Sequence, residues 1–141
     1  MSIDEAAVRT LVNRPAVVVD PDSTLRQVAE TLAGDYIGVV VVRTVPPRGP
    51  RGDEAEGVIS ERDIVRALAE GADPDEERAE NVMTLELATA SPADTIMSVA
   101  ESMLDNEIRH VPVTEDGAVV GVVSERDVLG AFVSERRAAR Q

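Results

Sequence analysis

The sequence contains no cysteine and no lysine, and its only histidine is His110. Without cysteine the chain can form no disulfide framework, no thiol nucleophile and no cysteine-ligated zinc site. Without lysine it can form no Schiff base and no lysine-containing P-loop. A site built from several histidines is excluded as well, so any acid–base catalysis would have to come from carboxylates.

Aromatic residues make up only 1% of the chain, and acidic residues outnumber basic ones by 27 to 14. The scarcity of rings disfavours an aromatic platform for single-stranded nucleic acid. The net charge of −13 argues against unspecific binding to nucleic acid or to an anionic membrane. No apolar run is long enough to cross a bilayer, and the acidic N-terminus is unlike a secretory signal. We therefore expect a soluble cytoplasmic protein.

The chain contains an internal repeat. The segment GVISERD at 57–63 recurs 64 residues later as GVVSERD at 121–127. Further upstream the offset is 71 residues; the matching pairs include Pro21 with Pro92, Thr24 with Thr95, and Ile37 with Ile108. An insert rich in proline, glycine and charge accounts for the difference. We predict a first repeat at 1–71 with a long hairpin insert at about 43–56, and a second repeat at 72–141 with a linker at about 71–81.

Each repeat is predicted to fold as β-α-β-β-α. Asp20-Pro21 and Ser91-Pro92 each place a capping residue before a proline at the first helical position. Apolar residues at helical spacing follow, then a run rich in valine and isoleucine, and then a strand that ends at Ser60 or Ser124. One repeat is too small to bury much core alone. We therefore expect an α/β (α+β) fold in which two repeats pack as a pseudo-twofold pair.

A Ser-x-x-Asp motif stands where a strand meets a helix, at Ser60 and Asp63 and again at Ser124 and Asp127. A serine N-cap with an acidic residue three positions later is common at helix starts, which gives the motif a purely structural interpretation. A hydroxyl and a carboxylate at such a junction can also bind the hydroxyls of a ribose, while a helix N-terminus or an arginine binds a phosphate. Both interpretations stay open at this point.

The ordered set of motifs resembles a tandem cystathionine-β-synthase (CBS) domain pair. The set comprises VMT at 82–84, IRHVPV at 108–113 and the two copies of G-[VI]-[VI]-S-x-x-D, and the resemblance runs from about Leu11 to Phe132. It implies a regulatory Bateman module that senses adenosine-containing ligands: AMP, ADP or ATP, and in some members NAD or S-adenosylmethionine. It also implies ligand clefts between the two repeats and a homodimer.

The same resemblance assigns roles to residues of each repeat. In the second repeat Ser124 and Asp127 bind the ribose, and the residues that flank the base or reach the phosphate are Ala88, Ile108, Arg109, His110 and Pro112. In the first repeat Ser60 and Asp63 bind the ribose, and the base is lined by Val17, Ile37, Gly38, Val39 and Val41. This copy departs from the pattern, because Val41 replaces a proline and no basic residue matches Arg109 and His110. A phosphate there would need Arg62, Arg126 or Arg43.

Several of these residues also have a simpler interpretation. His110 lies on an apolar strand and is equally well a half-exposed strand residue. Arg62 and Arg126 are equally well partners of acids on their own helices. The VMT segment at 82–84 is more typical of a core and an entry turn than of a ligand contact.

Three kinds of function are compatible with these features: a nucleotide sensor, a ligand-free dimerisation or interaction module, and an enzyme. The third is the weakest, because no nucleophile paired with a base is visible. We expect no enzymatic activity, no metal site, and neither nucleic acid nor membrane as a partner. We further expect the regulated effector protein to be a separate chain.

Binding of an anionic nucleotide has to be reconciled with a chain of net charge −13. Three solutions stay open. Arginines concentrate at the cleft, or Mg²⁺ accompanies the ligand, or binding is weak and depends on salt.

Overall fold

The computed structural model describes residues 3–13, 15–43, 57–85 and 88–140. The predicted hairpin insert at 43–56 lies outside the described residues apart from Arg43. Contacts between Cα atoms divide the chain into two compact units. One unit spans 17–87, and the other combines 1–16 with 88–141.

In the part of the unit at 17–87 that the structure describes, there are a three-stranded sheet and three helices. The strands are β1 (Val18–Val19), β2 (Val39–Val42) and β3 (Gly57–Ser60), and the helices are α1 (Leu25–Asp35), α2 (Glu61–Ala69) and α3 (Ala79–Val82). The sheet order is β1-β2-β3, with β1 parallel and β3 antiparallel to β2. The central strand consists of four buried valines, as β-branched residues favour. Val40 and Ile59 pack with Leu25 and Val28 in the core of this unit.

The other unit repeats this arrangement with a shorter first strand. Its elements are 3₁₀ helices at Ile3–Glu5 and Val8–Leu11, α4 (Ile96–Asn106), β4 (His110–Glu115), β5 (Ala118–Ser124) and α5 (Glu125–Ala139). Strands β4 and β5 are antiparallel and meet in a tight turn at Asp116 and Gly117, both with positive φ. The first strand is reduced to one parallel bridge between Ala90 and Val113. The predicted mixed α/β fold of two β-α-β-β-α repeats is thereby confirmed.

The predicted helix starts at Asp20-Pro21 and Ser91-Pro92 are wrong. The Asp20 carboxylate accepts a hydrogen bond from the backbone N–H of Asp22 at 2.8 Å, and this closes a turn, not a helix. Helix α1 begins at Leu25, where the hydroxyl of Thr24 accepts from the backbone N–H of Gln27. Helix α4 begins in the same way after Thr95. Proline stabilises the preceding turn, and the threonine three residues later caps the helix.

Each compact unit is completed by the segment that precedes the other repeat. The backbone N–H of Val8 donates to the carbonyl of Asp94 at 2.7 Å, so the N-terminal segment packs with the second repeat. The backbone N–H of Ala79 donates in the same way to the carbonyl of Ser23 at 2.8 Å, which joins the predicted linker to the first repeat. The compact units therefore have other bounds than the two sequence repeats.

Candidate ligand-binding site

Ser60 and Asp63 form a complete capping box at the start of α2. The hydroxyl of Ser60 accepts from the backbone N–H of Asp63 at 3.2 Å, and Oδ2 of Asp63 accepts from the backbone N–H of Ser60 at 2.8 Å. The other carboxylate oxygen, Oδ1, lies 3.7 Å from Nη1 of Arg66, one turn further along the helix. The structural interpretation of the motif is thus confirmed here, and Asp63 keeps one oxygen outside the cap.

Ser124 and Asp127 repeat this geometry at the start of α5. Asp127 donates its backbone N–H to the hydroxyl of Ser124 at 3.0 Å and accepts from the backbone N–H of Ser124 at 2.8 Å through Oδ2. Both side chains are half-buried. The cap uses the hydroxyl oxygen of Ser124 and Oδ2 of Asp127. Oδ1 of Asp127 is not part of the cap and can accept a hydrogen bond from another donor.

Strand pairing brings His110, one of the other predicted residues of the second repeat, to this junction, and Arg109 precedes it in the chain. His110 opens β4 directly opposite Ser124. Arg109 is exposed, and its carbonyl accepts from the backbone N–H of Glu125 at 2.7 Å, so its backbone is tied to the first residue of α5. The remaining predicted residues differ in exposure: Arg126 is exposed, Ala88 and Ile108 are half-buried, and Pro112 is buried.

The first repeat has the equivalent junction without the basic residues. Val39 lies opposite Ser60, and the backbone N–H of Glu61 donates to the carbonyl of Gly38 at 3.0 Å. The backbone N–H of Val41 donates to the carbonyl of Val17 at 2.9 Å, which aligns β1 with β2. The remaining predicted residues differ in exposure: Ile37 is half-buried, Val39 and Val41 are buried, and Arg62 is exposed.

The glycine of each G-x-x-S-x-x-D motif is required by close packing. A Cβ atom on Gly57 would lie 2.9 Å from the carbonyl oxygen of Thr84, and one on Gly121 would lie 2.4 Å from Cγ1 of Val12. Met83 packs against the core of the unit at 17–87. The VMT segment is therefore part of the core and its entry, as its simpler interpretation predicted.

An open cleft of about 420 Å³ lies in the unit at 17–87, beside Asp63. Its charged and polar lining comes from two places: Asp63, Arg66 and Glu70 on or just after α2, and Glu77, Asn81 and Thr84 on the segment that follows. Sequence reasoning singled out Asp63 and Thr84 but missed the other four. The spacing of Asp63, Arg66 and Glu70 along one helix face was the signal that could have found two of them. The other two come from a segment with no such periodicity.

Two side chains of the unit at 17–87, Arg26 and Asp75, have shifted pKa values. Arg26 on α1 forms an ion pair with Asp75, and this pair lowers the pKa of the Asp75 carboxyl and raises the pKa of the Arg26 guanidinium. Both side chains are more than half exposed. The pair joins the predicted linker to α1.

Within the described ranges, no group of three or more His, Asp or Glu side chains is placed to hold a metal ion. No helix among the residues that the structure describes is long and apolar enough to span a membrane.

Comparison with known proteins identifies the repeated unit. The family model for the CBS domain matches residues 8–70 and 79–134. The "CBS domain-containing protein CBSX3, mitochondrial" of Arabidopsis thaliana is 32% identical over 119 residues, which are 82% of this chain but 56% of that protein. The chain thus spans little more than half the length of this relative.

Two solved structures share both sequence and fold with the chain. The CBS-domain containing protein ATU1752 from Agrobacterium tumefaciens is 31% identical with a TM-score of 0.79, over 90% of this chain and 99% of that one. The CBS domain protein PAE2072 from Pyrobaculum aerophilum, complexed with AMP, is 31% identical with a TM-score of 0.74, over 92% and 99%. With the family model matching both repeats, the chain belongs to the CBS domain family and carries two CBS repeats.

Proposed function

We propose that this chain is a regulatory module that binds an adenine nucleotide at its Ser-x-x-Asp junctions and signals through a homodimer or an effector protein. The observation that carries the proposal is the second junction, where Ser124 and Asp127 adjoin Arg109 and His110. The AMP complex of the related CBS protein PAE2072 supports this ligand class.

The chemistry of the second junction suits a nucleoside monophosphate. Oδ1 of Asp127 can accept from a ribose hydroxyl while Oδ2 holds the cap. Arg109 is exposed beside the N-terminus of α5, so its guanidinium and the helix dipole both favour a phosphate there. The local positive charge of the Arg109 guanidinium and the helix N-terminus explains how a chain with a net charge of −13 can bind an anionic ligand here.

Isothermal titration calorimetry with AMP, ADP and ATP, each with and without Mg²⁺, tests the proposal. We expect saturable binding to the wild type. Asp127→Ala should weaken it by at least tenfold, because a charge-assisted hydrogen bond to the ribose is lost. The substitution also removes half of a capping box. Thr24→Ala is the matched control, since it breaks the equivalent box of α1, which belongs to neither Ser-x-x-Asp motif. Equal weakening by both substitutions, or no binding to the wild type, contradicts the proposal.

A ligand-free dimerisation module is the alternative, and one observation favours it. The second repeat exposes Leu129 at 62% and Val133 at 38% on α5, and the first exposes Val65 at 66% and Leu68 at 46% on α2. Apolar side chains at this helical spacing suit association with a second copy of the chain. Sedimentation of the wild type and of Leu129→Glu measures this directly. A dimer that binds no nucleotide would favour the alternative.

A further inference from the structure

The cleft beside Asp63 extends along one face of α2. Asp63 stands in the first turn of the helix, and Glu70 follows its last residue. The opposite wall contains Glu77 and Asn81, so a ligand held by the first junction has a cleft of about 420 Å³ beside it. That volume is within the range of small-molecule sites.

The charge of this cleft is negative. Three carboxylates, those of Asp63, Glu70 and Glu77, line it against the one guanidinium of Arg66, which already lies 3.7 Å from Asp63. The side-chain amide of Asn81 donates to Oε1 of Glu77 at 3.0 Å and leaves the charge of that carboxylate in place. The C-terminal end of α2 adds the negative end of a helix dipole.

The second repeat carries different residues at the matching positions. By the offsets of 64 and 71 residues, Arg66, Glu70 and Glu77 correspond to Gly130, Ser134 and Ala6. Conversely, Arg109 and His110 of the second repeat correspond to Gly38 and Val39 of the first. The first repeat thus lacks the basic pair and has two carboxylates, whereas the second has the basic pair and lacks both carboxylates.

We propose that the cleft of the first repeat binds an adenosine-type ligand that carries no phosphate, and that phosphate-bearing ligands bind at the second repeat. This inference rests on the proposed function and narrows it: the nucleotide binds at the second junction, and the first junction takes an adenosine-type ligand without phosphate. A phosphate dianion near Glu70 and Glu77 is repelled through water across several ångströms. A neutral nucleoside uses the same hydroxyl contacts to Asp63 and avoids this repulsion.

Single-site variants separate the two junctions. Asp127→Ala leaves only the first junction intact, and Asp63→Ala leaves only the second. Calorimetry with adenosine and with AMP on each variant gives four dissociation constants. We expect Asp127→Ala to bind adenosine more tightly than AMP by about threefold or more, and Asp63→Ala to show the reverse order.

Glu70→Gln in the Asp127→Ala background tests the stated cause. Its loss of one carboxylate should raise AMP affinity by about threefold to tenfold and leave adenosine affinity unchanged. Glu76→Gln is the matched control, because it changes the net charge equally at an exposed neighbour that does not line the cleft.

The possible outcomes distinguish this inference from the proposed function. If the wild type binds neither ligand, the proposed function fails. If the wild type binds AMP but Asp127→Ala binds neither ligand, or prefers AMP, the assignment of the first cleft is wrong while the proposed function stands. Equal effects of Glu70→Gln and Glu76→Gln would overturn the assigned cause.

Discussion

The carbonyl oxygen of Thr84 packs against Gly57 so closely that a Cβ atom at position 57 would lie only 2.9 Å from it. The same carbonyl accepts from the backbone N–H of Val58 at 3.1 Å, and the N–H of Thr84 donates to the carbonyl of Val58 at 2.9 Å. This bridge joins the segment that precedes the second repeat to the sheet of the first. A glycine is needed at position 57 because a backbone carbonyl occupies the space that a side chain would take.

Gly57→Ala should therefore destabilise the protein. We expect a loss of about 1–3 kcal/mol in the free energy of unfolding, because the bridge must shift to admit a methyl group. Urea denaturation followed by circular dichroism measures it. Gly130→Ala is the control, since nothing lies within 4 Å of its Cβ position on α5 and the helix gains propensity there. A change in the free energy of unfolding equal to that of the control would contradict the packing argument.

Ser124→Ala should cost about 1 kcal/mol by removing the acceptor for the backbone N–H of Asp127. The control is Ser134→Ala on the exposed part of α5. Thermal unfolding of the two variants measures the difference in their melting temperatures. Both variants lose one hydroxyl, and only the first loses a helix cap. Equal melting temperatures for the two variants would show that the cap contributes nothing to stability.

The ion pair of Arg26 and Asp75 should make stability depend on pH in the acid range. The pair lowers the pKa of Asp75 below its ordinary value of 3.8, so its contribution is present above that pH and is lost as pH falls through the lower folded-state pKa. The difference in stability between wild type and Arg26→Gln should vanish in acid. It should also shrink with added salt, because both side chains are exposed. A difference of the same size in acid as at neutral pH would contradict this cause.

Val8→Ala should destabilise the unit that contains the second repeat, although Val8 lies at the other end of the sequence. Val8 is fully buried in the core of that unit, and its truncation should cost about 2 kcal/mol. Hydrogen exchange should show faster opening of β4 and β5 than of β2 and β3. Arg9→Ala, at the exposed neighbouring residue, is the control. Equal acceleration in all four strands would contradict the packing of this segment with the second repeat.

Much of the fold could be predicted from local pattern. The run of valines at 39–42 became the buried strand β2, and the serine of each Ser-x-x-Asp motif became a helix cap, because both depend on residues close in sequence. The helix starts were misplaced because Pro21 and Pro92 are equally compatible with a turn. The helices begin after Thr24 and Thr95 because the hydroxyls of these threonines accept hydrogen bonds from backbone N–H groups in the first turn.

The candidate site was predictable in part. Asp63 and Asp127 were named from the repeat, and strand pairing brought His110 to Ser124 as the motif order implied. The lining of the cleft by Glu77 and Asn81 could not be foreseen, because these residues belong to a segment that was predicted to be a solvated linker.

The amino-acid sequence by itself determined that the protein is a duplicated β-α-β-β-α unit, since a repeated pattern of apolar and capping residues acts over a few residues. It also excluded thiol, lysine and multi-histidine chemistry. Only the tertiary structure decided which segment completes which unit. The bridge between Ala7 and Thr95 joins residues far apart in the chain through backbone groups alone. Backbone hydrogen bonds carry no side-chain signature, so the folded chain had to reveal that pairing.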